Sequence, residues 1–358
     1  MNTPSAPKKA GPINTALISF GKASRIFHAP LITSLPAFAL TKVVERHHQE
    51  SLGRYPWVQV VRDTDTLLQD DSLDLVVITT PNDTHYDLAR RCLLAGKHVV
   101  VDKPFVTRSE HARELIELAA ANNRVLSVFQ SRRWDGDFFT IKKLLSERML
   151  GRVVGVESRY DRFRNYPRPG AWREQPGEGT GVFFDLAPHL VDQILLLFGT
   201  PQAVTAHIQT QRDDVQADDA FQVQLHYNRL AVTLRGGMLV RVPTPRFIIN
   251  GTAGSFIKYG MDPQEEMLIA GLTPRDEGWG IEPEDRWGTI DTEINGVHIK
   301  GRVASQTGCY EAFYENVAAA ITHGVPTEVT PAQMIATIRI IELAFESSRH
   351  ERTIPYSE

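Results

Sequence analysis

Cysteine is almost absent from this chain of 358 residues: only Cys92 and Cys309 occur, in no paired or metal-like spacing. That argues against a disulfide framework and a structural zinc site. Cys92 falls in an apolar helical pattern and reads as a small core residue. There is no long basic run, and the formal net charge is -4. Sequence-independent nucleic-acid binding needs a positive surface, so no nucleic-acid partner is expected. No apolar stretch reads as long enough to span a bilayer, so no membrane partner is expected either. Residues 1–12 hold Pro4, Pro7, Lys8, Lys9 and Pro12 without the apolar core of a signal peptide, and read as a flexible leader. Internal repeats and low-complexity blocks are missing as well. What remains, 42% hydrophobic and 23% charged, is the composition of a globular protein, with a cytoplasmic location as the expectation.

The length exceeds one ordinary core, so two domains are expected. Ile13 to Ser19 reads as a strand, followed by a turn containing Gly21, and Phe38 to Glu45 as a second strand. Leu73 to Thr80 is near-continuously apolar, as in a strand covered on both faces, and Pro81 ends it. His85 to Ala95 carries Leu88, Cys92 and Ala95 on one helical stripe, with Gly96 past its end. Val99 to Val101 is a strand, Thr107 and Glu110 form a capping box for a helix reaching Ala121, and Val125 to Gln130 is the next strand. This alternation predicts a doubly wound parallel sheet of the Rossmann kind over residues 13–133.

The pattern then changes. Phe138 to Leu150 reads as a helix closed by Gly151, Val153 to Tyr160 as a half-exposed strand, and Leu186 to Phe198 as a strongly apolar helix. Several alternating strands follow from Ala203 to Lys258, and helices over Glu311–Ile321 and Pro331–Arg349 close the chain. Asp262 to Ile299, rich in Gly, Pro and Trp, shows no clear period. Residues 134–358 are therefore expected to form a second, α+β domain with a largely antiparallel open sheet.

The first strand leads into Ser19-Phe20-Gly21-Lys22-Ala23-Ser24. A dinucleotide fingerprint has glycine at the positions of Ser19, Gly21 and Ser24, and only the middle one is present. Gly21 is where backbone must approach a pyrophosphate, whereas serine at the outer positions still permits a tight turn and close helix packing. Glu45 ends the second strand, where an acid would bind the ribose of NAD. Arg46 follows at once and suits the 2′-phosphate of NADP. NAD and NADP both stay open, with Arg46 favouring NADP slightly and Glu45 opposing it. Asn82, after Pro81, suits a helix cap or a contact to the nicotinamide ribose.

Val99-Val100-Val101-Asp102-Lys103-Pro104 carries an apolar strand straight into a charged pair and a proline. Ligands of open parallel sheets bind at the carboxyl ends of strands, and a lysine there is expensive to desolvate. Its plain alternative is a charge projecting into solvent. Further on, Pro188 is tolerated in a helix only within the first turn, which would make Asp185 a helix-start residue with His189 one turn later on the same face. A carboxylate beside an imidazole fixes its tautomer and raises its basicity. The alternative is that Asp185 is an N-cap and His189 a surface histidine. Asp185, His189 and Asp192 lie near one another without a further ligand cluster, so no metal is expected.

These segments resemble the Gfo/Idh/MocA family of NAD(P)-dependent oxidoreductases. The resemblance is carried by Phe27-His28-Ala29-Pro30-Leu31-Ile32, Thr80-Pro81-Asn82-Asp83-Thr84-His85, Asp102-Lys103-Pro104, Arg132-Arg133-Trp134-Asp135 and the Asp185–His189 segment. The family's usual Glu-Lys-Pro is Asp-Lys-Pro here, and a cis peptide before Pro104 is expected. The resemblance implies a Rossmann domain followed by an α/β domain whose sheet joins a homo-oligomer, dimer or tetramer. It implies His189 as the general base, Asp185 as its orienting partner, and Lys103 as the donor to the reacting oxygen. Thr80, Pro81, Asn82, His85, Asp102, Lys103 and Gln130 would lie along the cofactor with the Gly21 turn, and Trp172 and Arg173 would close over it. Tyr160 and Arg168 are candidates for the substrate pocket. The implied activity is hydride transfer between a nicotinamide and a secondary alcohol or carbonyl of a small polyol, inositol or sugar. The alternative is a non-catalytic regulatory protein that senses dinucleotide with the same fold.

Overall fold

The computed structural model describes residues 11–357, so most of the leader expected at 1–12 lies outside the described residues. The chain divides into two compact units. One gathers the residues up to Ser131 with Gln264–Trp279 and Cys309–Ile335, and the other holds Arg132–Pro263, Gly280–Gly308 and everything from Ala336 onward. The single boundary expected after residue 133 is therefore replaced by two returns of the chain to the first unit.

The first unit is built on β1 (Ile13–Ile18), β2 (Phe38–Val44), β3 (Gln59–Val61), β4 (Leu75–Ile78), β5 (His98–Asp102) and β6 (Leu126–Phe129). Its helices are α1 (Ala29–Ser34), α2 (Thr64–Leu68), α3 (His85–Leu94) and α4 (Ser109–Ala121). The six strands lie in the order β3-β2-β1-β4-β5-β6, and every pairing is parallel. The order reverses between β1 and β4, and ligands of such sheets bind outside the carboxyl ends at that switch. All four residues of β4 are buried, as a strand covered on both faces requires. Cys92 is fully buried in α3, as its apolar stripe implied, and burial pushes its thiol up to about 12. The helix expected to start at a Thr107 box begins at Ser109, with Arg108 at the N-cap.

The later segments return because they carry core side chains. Phe313 and Tyr314, near the start of the helix Glu311–His323, pack edge-on against Phe129 and Phe38 and are fully buried. Between them, Phe313, Tyr314, Phe129 and Phe38 bury several hundred Å² of ring surface, enough to hold a short helix that would be marginal alone.

The second unit starts with α5 (Gly136–Ser146), β7 (Val153–Asp161), α6 (Gly181–Phe198), β8 (Ala203–Gln209), β9 (Ala220–Tyr227) and β10 (Leu230–Gly237). It continues with β11 (Phe247–Gly251), β12 (Gly254–Lys258), then, beyond α7 (Gln264–Ile269) of the first unit, β13 (Gly288–Ile294) and β14 (Val297–Val303). After α8 (Glu311–His323), α9 (Pro331–His350) and β15 (Ile354–Pro355) end the chain. The sheet runs β14-β13-β12-β11-β7-β10-β9-β8-β15, antiparallel throughout except for the parallel β7–β10 pair. The stretch without a readable period thus supplies a hairpin, β13–β14, whose outer strand is exposed along nearly its whole length. A strand with no buried face has no alternation to read. Contrary to the expectation of no span-length apolar stretch, α6 reaches that length and apolarity, but its side chains are mostly buried as a core helix of its unit.

Candidate active site

The turn after β1 replaces missing glycines with hydrogen bonds. Ser19 sits at φ 84°, the left-handed region where glycine is ordinarily used. The Ser24 hydroxyl donates to the Ser19 carbonyl at 2.8 Å and lies 2.5 Å from the Thr79 hydroxyl, so it staples the turn to the end of β4. Gly21 is exposed, and a Cβ built on it meets only Ser19 Oγ, at 3.6 Å. Among the described residues nothing crowds that position, and a bare backbone there fits the close approach of a phosphate. The chain then winds through a π-helical turn, Ser24–His28, into α1, with Lys22 exposed and Ala23 half-buried beside Gly21.

The ends of β4, β5 and β6 lie on the same edge of the sheet as this turn. Thr80 is half-buried and Pro81 exposed after β4, and Asn82 is buried in the short turn that follows. Thr84 takes the N-cap position of α3, so Asn82 is not that helix's cap. Half-buried Lys103 follows Asp102, whose Oδ1 accepts the Lys103 amide at 2.9 Å, and the Lys103–Pro104 peptide is cis. Gln130, just past β6, is 4% exposed and its Oε1 has no hydrogen-bond partner among the described residues. A bare-backbone turn, an orphaned buried amide oxygen and a switch-point edge together fit a bound dinucleotide.

The structure corrects the role expected of Glu45. Its side chain turns inward: Oε2 accepts the Glu50 amide at 2.8 Å, and Oε1 accepts the Ser51 amide at 3.0 Å together with the Ser51 hydroxyl. With Glu45 only 7% exposed, the carboxylate caps the turn at Glu50–Gly53 and is engaged by its own chain. Arg46, by contrast, is exposed.

In the second unit, α6 begins four residues earlier than its proline suggested. Pro188 lies in the helix interior, and Asp185 is its fifth residue, half-buried, with His189 one turn on and 8% exposed. The reason is a cap supplied from elsewhere in the chain. The Asp218 carbonyl accepts the Val182 amide at 2.8 Å, and its Oδ1 accepts the Phe183 amide at 2.6 Å. Burial pushes the Asp218 carboxyl up to about 7. Gly181 stands at φ 89°, and a Cβ there would collide with Asp218 Oδ2 at 1.9 Å. Neither Asp185 nor Asp218 could be recognised as cap or non-cap from local sequence.

Around His189, the Tyr160 ring lies edge-on at 6.3 Å between centroids. Tyr160 is itself covered by the Arg246 guanidinium at 4.1 Å. Arg246 is 3% exposed and donates to Ser158 Oγ, Tyr160 Oη and Gln193 Oε1. Arg173 lies 4.5 Å over the Trp172 ring and pairs with Asp185 at 3.5 Å. Arg168 is exposed, with its amide on Glu174 Oε2 at 3.3 Å. Glu174 in turn bridges Arg164 and Arg212, which fixes the loop holding Trp172 and Arg173. Asp192, close to Asp185 in sequence, is taken by a two-pronged pair with Arg133 at 2.7 and 2.6 Å. Sequence reasoning missed Arg246, Glu174 and the Arg133–Asp192 pair. Arg133 and Glu174 left a trace, since both lie in segments that resemble the family; Arg246 left none.

Comparison with known proteins identifies the family and the fold. Residues 13–130 match the oxidoreductase family model for the NAD-binding Rossmann fold, and residues 142–356 match that family's C-terminal alpha/beta domain. The chain is 42% identical to the uncharacterized oxidoreductase YdgJ of Escherichia coli over 96% of this chain and 98% of that protein. It is 38% identical to the scyllo-inositol 2-dehydrogenase (NADP(+)) IolW of Bacillus subtilis over 97% of each. Among solved structures, the oxidoreductase yvaA of Bacillus subtilis superposes with a TM-score of 0.94 at 36% identity, covering 98% of this chain and all of that one. The chain belongs to the Gfo/Idh/MocA family of oxidoreductases, with its NAD-binding Rossmann fold.

Proposed function

We propose that this protein is an NADP-dependent dehydrogenase that interconverts a secondary alcohol and a carbonyl on a small cyclic polyol or sugar, with inositols first among the candidates. The inward turn of Glu45 carries the cofactor choice. A carboxylate presented to the ribose would repel a 2′-phosphate, whereas here the exposed charge after β2 is Arg46. The NADP-dependent inositol dehydrogenase among its relatives supports the same choice.

When bound, the nicotinamide would accept or supply the hydride at its C4. In the proposed division of labour, Lys103 donates to the reacting oxygen and stabilises developing alkoxide charge. His189 takes the hydroxyl proton, and Asp185 orients it through their one-turn spacing. Arg246 and Tyr160 make the wall beside His189 positive and rigid, which suits a hydroxyl-rich neutral substrate.

The test is a fluorescence titration with NADPH and NADH, followed by turnover of NADP with scyllo-inositol, myo-inositol and a panel of aldoses. NADPH binding with turnover that Lys103→Ala abolishes supports the reading. Tight NADPH binding without turnover on any polyol or sugar would move the protein to the class of non-catalytic dinucleotide sensors.

A further inference from the structure

His85 opens α3 and is 1% exposed, far too buried for its ring to be a surface cap. Its two ring nitrogens each face a backbone carbonyl. Nδ1 lies 2.9 Å from the Pro104 oxygen, and Nε2 lies 2.9 Å from the Thr80 oxygen. Carbonyl oxygens only accept. A neutral imidazole has one N–H and one lone pair, so it would bond one carbonyl and set its lone pair against the other. Only the imidazolium donates to both.

A buried cation needs a countercharge, and Asp102 is the carboxylate whose charge favours the protonated ring. Asp102 is drawn upward by burial, but His28, Lys103 and His85 outweigh this and hold its carboxyl below the ordinary range. The His28 Nε2 lies 3.7 Å from Asp102 Oδ1, and His28 Nδ1 meets Tyr314 Oη at 2.6 Å. Tyr314 is fully buried, and burial lifts its hydroxyl well above the ordinary value, so it stays protonated beside His28 Nδ1. Burial holds the His85 ring below the ordinary imidazole value, outweighing Asp102 and the Pro104, Thr80 and Phe105 carbonyls. Against that pull stands the geometry: a neutral ring can donate to only one of the two carbonyls that its nitrogens face.

We infer that His85 is a doubly protonated clamp, countered by Asp102, that ties the end of β4 to the chain just beyond β5 and so fixes where Lys103 leaves the sheet. It is a positioning residue: its ring nitrogens are occupied by Thr80 and Pro104, and it acts through Lys103. Only that last step rests on the proposed catalytic role of Lys103. The protonation state does not.

The experiment has two arms on the full chain. In the first, the wild-type protein labelled with 15N-histidine is observed at pH 8, and the His85 ring is assigned by through-bond correlation to its own backbone. Two protonated ring nitrogens at pH 8 are expected; a neutral ring would overturn the inference whether or not the protein is a dehydrogenase. In the second, His85→Gln is compared with wild type in NADPH affinity and turnover. A loss of kcat of about 10- to 100-fold with NADPH Kd held within about threefold is expected, since a shift near 1 Å in a reacting group costs on that order. A weakened NADPH Kd with kcat retained would make His85 a cofactor contact and overturn the positioning role. If His85→Gln does not fold, the first arm still decides the clamp.

Discussion

The Glu45 carboxylate, just beyond β2, accepts the Ser51 amide at 3.0 Å and so is engaged by its own chain. In the proposed reading the neighbouring exposed cation, Arg46, would set a preference for a 2′-phosphate. Arg46→Ala should raise the Kd for NADPH about tenfold, the scale of one charge-assisted contact, and leave NADH within about twofold. Fluorescence titration of both cofactors measures this. Equal losses for the two would show that Arg46 does not face the 2′-position.

Ser24 carries the turn that lost its outer glycines. Removing its hydroxyl deletes the bonds to the Ser19 carbonyl and the Thr79 hydroxyl. Ser24→Ala should cost about 1–2 kcal/mol of stability and weaken NADPH binding, because the turn that cradles the phosphate loosens. Urea unfolding and the same titration read the two effects. An unchanged midpoint and Kd would mean the π-helical turn, not the serine, holds the loop.

The first sheet was legible almost strand by strand, because buried parallel strands such as Leu75–Ile78 announce themselves as apolar runs. Gly21 and Lys103 fall at the turn and the strand end read for them, whereas Asp185 and His189 fall inside α6 and not at its start. What failed was long-range. Glu45 looks like a ribose acid until Ser51 folds back onto it, and α6 looks as though it starts near Asp185 until Asp218 caps it from another loop. The return of Phe313 and Tyr314 to the first unit is equally invisible, since a helix pattern gives the apolar face and not its partner.

Arg133 and Asp192 form a buried, two-pronged pair in the second unit, 4% and 2% exposed. Asp192→Asn leaves a buried arginine without its countercharge and should cost about 3–5 kcal/mol. Replacing both, as Arg133→Met with Asp192→Leu, should recover most of that loss, because the desolvation cost of both ions disappears. Urea unfolding of the single and double variants tests it. A single variant within about 1 kcal/mol of wild type would show that the pair is not a structural anchor.

Asp218 gives stability a pH dependence of unusual sign. Burial raises its carboxyl to about 7 in the folded protein, against 3.8 for the ordinary group. Between those values the folded chain binds more protons than the unfolded one, so this residue lowers stability progressively as pH rises from about 4 to about 7. Above that range the full penalty persists; below it there is none. Asp218→Asn keeps an oxygen to accept the Phe183 amide and removes the charge. Its melting temperature should therefore stay close to wild type below about pH 4 and exceed it at pH 8 by several degrees, since a rise from 3.8 to about 7 corresponds to on the order of 4 kcal/mol. Thermal unfolding at the two pH values decides the matter. A variant that melts lower at pH 8 would mean that the Asp218 anion, acting at the start of α6, is worth more to the helix than its burial costs.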